Sequence, residues 1–345
     1  MMKGSKVLVV GGAGFVGSNL VHMLLDLGVD HITVVDNLLS AEEVNVPKTA
    51  KASFIKGSIT DDKVLGKIED NLEYVFHLAT YHGNQSSIHD PIADHENNTF
   101  TTLKLFNHLS KFQNLKKVVY SSAGCSVAAK TFDSPDATSE EAPINLVQDS
   151  PYSISKVIGE FYSVYFFRSA KLPVVRARFQ NVFGPREILG AGEWRGTPAT
   201  VWRNVTPTFI YKSLKHEALP VDNGGAGTRD FIFVDDICRG LIACAERGEA
   251  GDVYNLASGG EVSILELANA INRITGNPTP IAFKPRRDWD NSGRRYGDPS
   301  KSEKSIGFKV QVPFEEALKR TIEWTKQNLD FIESVMHKHD SLVQK

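Results

Sequence analysis

The stretch KVLVVGGAGFVGSNL, residues 6–20, sets the architecture of the chain. It opens with a run of β-branched and other apolar residues, which is typical of a buried parallel strand. Gly11, Gly14 and Gly17 follow, and the apolar residues after them recur at helical spacing. Small residues between a strand and a helix let a pyrophosphate approach the backbone, where the helix N-terminus offers unpaired N–H groups. Glycines also serve ordinary tight turns, so the loop alone leaves both uses open.

The next predicted strand, HITVVD (31–36), ends in an acidic residue. Asp36 follows Gly17 by 19 residues, the distance at which a carboxylate hydrogen-bonds the adenosine ribose of a dinucleotide. Because a carboxylate here repels a ribose phosphate, the pattern favours NAD over NADP. The alternative is that Asp36 is a turn residue before Asn37. Together, the loop and the acid predict an NAD site.

Strands and helices alternate through the first half of the chain. Further short strands are predicted at 52–59, 74–79, 115–122 and 172–184, and helix-like segments such as 98–112 separate most of them. This alternation predicts an α/β, Rossmann-type doubly wound parallel sheet, whose ligands bind beyond the carboxyl ends of the strands.

The amino-acid composition changes after Gly184, where prolines, glycines and tryptophans become frequent. We predict an NAD-binding domain over residues 1–184. Segments at about 229–259 are predicted to rejoin this domain, with strands at 229–236 and 253–258. A smaller mixed α/β C-terminal lobe for the substrate is predicted from 185–228 and 260–345.

The composition is that of an ordinary globular protein. Of 345 residues, 41% are apolar and 23% charged, and the net charge of −2 gives no general attraction to nucleic acid or anionic membranes. No apolar run reaches the roughly 18 residues of a membrane span, and the N-terminus lacks a signal-peptide pattern. The cysteines, Cys125, Cys238 and Cys244, show no metal-ligand spacing, so no metal is expected. The expected location is the cytoplasm.

Tyr152 and Lys156 stand four residues apart in SPYSISKVIGEF (150–161). Residues at i and i+4 share one helical face, so the two side chains are neighbours. A nearby ammonium favours the phenolate and lowers a tyrosine pKa from its usual value of about 10, which makes tyrosine usable as an acid or base. A second pair, Tyr211 and Lys215, lacks a preceding strand with hydroxyl groups, and we interpret it as a chance occurrence.

Beyond these features, the chain resembles a known family, the extended short-chain dehydrogenases/reductases, in their nucleotide-sugar epimerase and dehydratase branch. The resemblance covers nearly the whole length. The matching motifs, in order, are GGAGFVGSNL, VVDNL, VFHLAT, SSIHDP, NNTFTTLKLF, VVYSSAG, SPYSISK, RFQNVFGPRE, GTRDFIFVDD and YNLASG. The resemblance implies that Tyr152 and Lys156 are catalytic and that Lys156 also holds the nicotinamide ribose.

The same resemblance implies which other residues contact the cofactor and the substrate. Besides the glycine loop and Asp36, cofactor contacts are expected at Phe15, Val16, Asn37, Ser58, Ile59, Leu78, Ala79, Thr80, Asn98, Ser121, Tyr152 and Lys156. For most of these, packing within the sheet is the alternative. Sugar-diphosphate contacts are expected at Asn181, Arg229 and Arg287, since guanidinium groups bind diphosphates through paired, charge-assisted hydrogen bonds.

Two departures from the family pattern concern the substrate. The family has a Ser or Thr soon after the fifth strand, bridging the tyrosine to the sugar hydroxyl, and straight counting puts Ala123 there. Either the loop bulges by one residue and brings Ser122 or Ser126 into reach, or the relay is changed; we predict Ser122 as the catalytic hydroxyl. The insert 188–209 is longer than expected, and it is either a lid over the sugar, a subunit contact or a loop without a role.

An NAD-dependent nucleotide-sugar 4-epimerase fits these residues best. Relatives that eliminate water carry an acid just after the Ser/Thr position, whereas Gly124, Cys125 and Ser126 offer no carboxylate, which disfavours a 4,6-dehydratase. A net oxidoreductase and a non-catalytic NAD-binding scaffold are two further hypotheses. Aromatic residues such as Phe161 and Tyr165 predict a homodimer, because relatives pair the corresponding helices.

Overall fold

The structure, a computed structural model, describes residues 2–81, 83–128, 131–193, 197–287 and 293–343. Its strands are β1 (Lys6–Val10), β2 (His31–Asp36), β3 (Ala52–Lys56), β4 (Tyr74–His77), β5 (Lys117–Ala123), β6 (Val174–Phe179), β7 (Asn181–Phe183), β8 (Pro220–Asp222), β9 (Thr228–Arg229), β10 (Phe231–Phe233), β11 (Val253–Leu256), β12 (Val262–Ser263) and β13 (Ala282–Lys284). Its helices are α1 (Phe15–Asp26), α2 (Asp62–Leu65), α3 (Asn84–His89), α4 (Pro91–Asp94), α5 (Thr101–Leu109), α6 (Pro151–Ala170), α7 (Pro198–Trp202), α8 (Val205–Leu214), α9 (Val234–Arg247), α10 (Ile264–Thr275), α11 (Ser300–Ile306), α12 (Phe314–Gln327), α13 (Leu329–His337) and α14 (Asp340–Val343). A π-helix (His95–Phe100) joins α4 to α5. In the described ranges, no helix is both long enough and apolar enough to cross a lipid bilayer.

Within the described residues, seven strands form one parallel sheet in the order β11-β6-β5-β4-β1-β2-β3. Val7 of β1 pairs with Ile32 of β2 on one side and with Tyr74 of β4 on the other. The strand order therefore reverses between β1 and β4, which is where ligand crevices open in doubly wound sheets. β4 is buried along its whole length, as expected where helices cover both faces of a parallel sheet. The predicted Rossmann-type sheet is confirmed.

The sixth predicted strand, 172–184, is interrupted. β6 ends at Phe179, and after Gln180 the chain continues as β7, which leaves the main sheet and pairs in parallel with β10. The break occurs where the Asn181 N–H donates to the Asp230 carbonyl (2.9 Å), so that hydrogen bonds to β10 replace those to the main sheet.

The predicted strand 229–236 is wrong in its second half. Helix α9 begins at Val234, and Asp235 and Asp236 place negative charge at its positive N-terminal end. The predicted strand 253–258 is present as β11, which joins the main sheet beside β6.

The smaller lobe contains α8, α10 and α12 and the strand pairs β8–β13 and β9–β12. One apolar cluster runs from the main sheet, at Val9 and Val34, into this lobe at Ile210, Ile271 and Leu318. Burial of apolar surface thus stabilises both parts together. The division of the chain near residue 184 stays a prediction.

Candidate active site

A cavity of about 1540 Å³ opens at the carboxyl ends of the central strands, where the strand order reverses. It collects residues that lie far apart in the sequence. The predicted site residues that line it are Gly11, Gly14, Phe15, Val16, Gly17, Asp36, Asn37, Ser58, Ile59, Leu78, Ala79, Thr80, Ser121, Ser122, Tyr152, Lys156, Asn181, Arg229 and Arg287. The exception among the predicted residues is Asn98.

The glycine loop passes close to the end of β4. Gly11 has a φ of +85°, and a Cβ atom there would lie 2.5 Å from the backbone nitrogen of Ala79. A Cβ atom on Gly17 would collide with the carbonyl oxygen of Gly11, so only glycine lets α1 begin this close to β1. Phe15 and Val16, the first residues of α1, line the cavity. The N–H groups of a first helical turn are those that bind a pyrophosphate.

Asp36 lies at the end of β2, beside the glycine loop. Its Oδ2 accepts a hydrogen bond from the Ala13 N–H (3.0 Å), and its Oδ1 accepts one from the Leu38 N–H (2.9 Å). Burial raises the pKa of Asp36, and these backbone hydrogen bonds oppose the shift. The carboxylate is therefore fixed at the cavity wall, and its contact with the ribose hydroxyls of NAD stays a prediction. Ser58, farther along this wall, shares a hydrogen bond with the hydroxyl of Thr60 (2.8 Å).

Asn98 lies one layer behind the cavity wall, in the π-helix. Its Oδ1 accepts hydrogen bonds from the Thr80 hydroxyl (3.0 Å) and the Tyr81 N–H (2.7 Å), and its Nδ2 donates to Asp94 (2.7 Å). Its neighbour Asn97 lines the cavity instead. Because its amide is engaged by the loop after β4, Asn98 positions that loop, whereas the sequence predicted a direct contact with the cofactor.

Helix α6 carries the Tyr–Lys pair in its first two turns. The Ser150 hydroxyl caps the helix by accepting the Ser153 N–H (3.3 Å), and a proline occupies the first helical position. The Tyr152 N–H donates to the Ser87 hydroxyl (3.1 Å), which belongs to α3. These contacts fix the start of α6 and place both Tyr152 and Lys156 at the cavity wall.

Lys156 is buried, with 3% of its surface exposed. Its Nζ donates to the Ser121 carbonyl oxygen (3.0 Å) and lies 5.7 Å from the centre of the Tyr152 ring. Burial and the charge of Lys156 lower the pKa of nearby His77 to about 3. Burial raises the pKa of Asp94 to about 6, although hydrogen bonds and the Lys156 charge oppose it. With His77 neutral, the Lys156 ammonium supplies the positive charge beside the tyrosine ring.

At the end of β5, the hydroxyl of Ser122 forms a hydrogen bond with a buried carboxylate. β5 pairs with β6 in continuous register as far as Ala123, which lies opposite Phe179, so no bulge occurs within the strand. Ser122 donates its hydroxyl proton to Glu160 (2.5 Å), and Glu160 is paired with Arg178 through two hydrogen bonds (2.8 and 2.9 Å). The Ser122 hydroxyl is thus hydrogen-bonded to the buried Glu160–Arg178 ion pair, whereas the sequence predicted that it bridges the tyrosine and the sugar.

The arginines expected to bind the diphosphate lie on the lobe side of the cavity. Arg229 donates to the carbonyl oxygens of Thr228 (2.6 Å) and Gly293 (2.8 Å), which fixes its guanidinium group. Arg287 forms an ion pair with Asp222 (2.6 Å), and its side chain is 48% exposed. Both line the same cavity as the glycine loop, and their contact with a substrate stays a prediction.

The 188–209 insert packs against the loop that follows β2. Arg203 donates to the carbonyl oxygen of Ser40 (2.8 Å), so its guanidinium is engaged by backbone. This contact shows a structural use for Arg203, although the residue also lines the cavity. Trp194 and Arg195, also in the insert, lie outside the described residues.

The second Tyr–Lys pair, Tyr211 and Lys215, contacts a carboxylate of helix α13. The Tyr211 hydroxyl donates to Glu333 of α13 (3.2 Å), and Lys215 forms an ion pair with the same carboxylate. Burial, followed by the charge of Glu333, raises the pKa of Tyr211 to about 12, which is the opposite of what a general base needs. These contacts give the pair a structural use, and its interpretation as a chance occurrence of the motif stays a prediction.

Three polar residues of the motif RFQNVFGPRE line the cavity and were not predicted. They are Gln180, between β6 and β7, Arg186, and Glu187, which is 6% exposed. Burial raises the pKa of Glu187 to about 7, and a hydrogen bond from Asn204 opposes the shift. Oε2 of Glu187 has no hydrogen-bond partner in the described part of the chain. The sequence shows these polar residues, but it does not show that their side chains face the cavity.

The site combines a glycine loop at a helix N-terminus, an acid at the end of the second strand, and a buried lysine beside a tyrosine. This combination is typical of an NAD-binding enzyme of the short-chain dehydrogenase/reductase type. Residues 7–257 match the NAD dependent epimerase/dehydratase family, and the chain belongs to that family. The predictions of the family and of NAD as the cofactor are confirmed.

Similar proteins cover almost the whole chain. The crystal structure of Bordetella bronchiseptica WbmF in complex with NAD+ and UDP has 60% identity and a TM-score of 0.90, over 99% of this chain and 98% of that one. A putative UDP-glucose 4-epimerase of Methanocaldococcus jannaschii is 31% identical over 93% of this chain and 99% of its own length. The UDP-N-acetylglucosamine 4-epimerase of Methanobrevibacter ruminantium, solved with UDP-N-acetylmuramic acid, has 31% identity and a TM-score of 0.83, over 95% and 100% of the two chains. Dehydratases are also among the matching relatives.

Proposed function

We propose that the protein is an NAD-dependent 4-epimerase of a nucleotide-diphosphate sugar. The proposal is carried by the Tyr152–Lys156 pair, which lies on the wall of the cavity that also contains the glycine loop. Inversion at C4 requires that one proton and one hydride leave and return, and a tyrosine beside a lysine meets the proton requirement. Dehydration needs an additional acid for the leaving hydroxyl, and the turn after β5, Gly124 to Ser126, has no carboxylate.

The chain's own residues divide the work as follows. Tyr152, as the phenolate, removes the proton of the C4 hydroxyl and returns it after the sugar has turned over. Lys156, held by the Ser121 carbonyl oxygen, favours the phenolate through its charge. The bound nicotinamide supplies the hydride acceptor at C4. Asp36 and the glycine loop hold the adenosine ribose and the pyrophosphate. Because the hydride taken from C4 returns to C4 in the same cycle, turnover requires no added reductant.

The substrate side is assigned by charge. Arg229 and Arg287 line the lobe side of the cavity and offer guanidinium groups to a diphosphate. Asn181, at the start of β7, lines the same cavity and is proposed to contact the sugar diphosphate. The names of the similar epimerases support a UDP-sugar.

We also propose that the enzyme is a homodimer. Its proposed location is the cytoplasm. Along α6, Ile154, Phe161 and Tyr165 are 47%, 57% and 61% exposed, and their spacing of seven and four puts them on one face. Phe100 of the adjoining π-helix is 41% exposed as well. An apolar face of two neighbouring helices suits pairing with the same face of a second copy.

The decisive experiment is a substrate panel. The purified protein, without added reductant, is incubated with UDP-, dTDP-, GDP- and CDP-sugars, including N-acetyl and uronic forms, and the products are read by proton NMR. We expect a C4-inverted sugar of unchanged mass. Tyr152→Phe should reduce turnover by at least 100-fold, since general acid–base groups contribute about 10²–10⁴-fold.

Tyr211→Phe is the matched control, because it removes the tyrosine of the other Tyr-x-x-x-Lys pair and should retain turnover. A product lighter by one water would identify a dehydratase instead. Net formation of NADH would identify an oxidoreductase. Absence of any product across the panel, with NAD binding intact, would favour the non-catalytic scaffold.

A further inference from the structure

The side chain of Gln180 lies in a slot between two glycines at the end of β5. A Cβ atom on Gly124 would lie 2.8 Å from both the amide carbon and the amide oxygen of Gln180. A Cβ atom on Gly297 would lie 2.6 Å from its Nε2. The carboxamide therefore occupies the space that side chains at both positions would fill.

This slot adjoins the position of the missing hydroxyl. Ala123 precedes Gly124 and lies opposite Phe179, which precedes Gln180, so the two pairs are consecutive in the parallel register. Gln180 lines the cavity together with Ala123 and Tyr152. In the described part of the chain, no protein group forms a hydrogen bond with its amide, whereas the nearby hydroxyl of Ser122 is bound to Glu160.

We propose that the Gln180 carboxamide replaces the hydroxyl absent at Ala123 and binds a hydroxyl oxygen of the pyranose ring of the substrate. An amide both donates and accepts hydrogen bonds, so it can hold a sugar hydroxyl. An amide does not exchange a proton near neutral pH, so Tyr152 acts on the sugar directly, without a relay. This inference rests on the proposed sugar-nucleotide site.

Binding measurements separate the sugar contact from the nucleotide contact. UDP and UDP-glucose are titrated by calorimetry into NAD-loaded Tyr152→Phe protein, with and without Gln180→Ala. We expect the Kd of UDP to stay within about 2-fold and the Kd of UDP-glucose to rise about 10-fold, the loss typical of a hydrogen bond in a shielded site. An unchanged Kd for UDP-glucose, or equal weakening of both ligands, would overturn the proposal. Gln113→Ala, at an exposed glutamine, is the matched control.

A double-mutant cycle tests the slot itself. Gly124→Ala should push the amide out and weaken UDP-glucose about 10-fold, but it should have less than about a 2-fold effect when Gln180 is already replaced by alanine. Equal effects in the two backgrounds would show that Gly124 acts independently of Gln180 and would contradict the assignment. Because these are binding experiments, they also decide the role of Gln180 if the substrate panel finds no epimerisation.

Discussion

Replacing Glu187 by glutamine should change how the stability of the protein depends on pH. Glu187 is buried, its pKa is raised from 4.5 to about 7 by burial, and its Oε2 has no hydrogen-bond partner among the described residues. In the unfolded chain the carboxyl ionises at its ordinary pKa, while in the folded protein it keeps its proton until about pH 7. Between these values the unfolded state binds fewer protons, so stability falls as the pH rises.

The expected magnitude follows from the shift. Each pKa unit corresponds to about 1.36 kcal/mol, so a shift from 4.5 to about 7 removes about 3 kcal/mol of stability across that interval. A glutamine side chain resembles the protonated acid and cannot ionise. The free energy of unfolding of Glu187→Gln, relative to the parent, should therefore rise by about 3 kcal/mol between pH 4.5 and about 7 and stay level above it.

Urea unfolding at several pH values, followed by tryptophan fluorescence with NAD at one saturating concentration, measures this difference. Glu303→Gln provides the control, because Glu303 is exposed on α11. A difference between parent and Glu187→Gln that does not vary from about pH 5 to about pH 8 would refute the argument that the carboxyl is held protonated by burial.

Three further outcomes are expected. Asp36→Asn replaces one of the two carboxylate oxygens, which accept from the Ala13 and Leu38 N–H groups, by an NH2 group and removes the charge proposed to bind the cofactor ribose, so the Kd of NAD by calorimetry should rise at least about 10-fold; an unchanged Kd would contradict the assignment. Gly17→Ala should lower the free energy of unfolding by roughly 1–3 kcal/mol through its clash with the glycine loop, whereas Gly260→Ala, with nothing within 4 Å, should not. Phe161→Glu with Tyr165→Glu should give monomers by light scattering at micromolar concentration, and a dimer that persists would place the interface elsewhere.

The glycine loop and Asp36 could be predicted from local spacing. The requirement for glycine at positions 11 and 17 comes from backbone that lies within a few residues or on the adjacent strand, and Asp36 ends the strand next to β1. The Tyr152–Lys156 pair is likewise local, because a single helix brings the two side chains together. Such features survive in the sequence as fixed intervals between residue types.

The direction of a side chain whose partners are distant in the chain could not be predicted in this way. The motif VVYSSAG does not indicate that the Ser122 hydroxyl donates a hydrogen bond to Glu160. That contact depends on how α6 packs on the sheet and on Arg178 of the next strand. The same holds for Gln180, whose slot is formed by glycines from two remote segments. Short-range geometry was therefore enough to predict the sheet, the NAD site and the Tyr–Lys pair from the amino-acid order. The contacts of Ser122 and the slot of Gln180 came only from packing, because they join residues that no fixed interval along the chain relates.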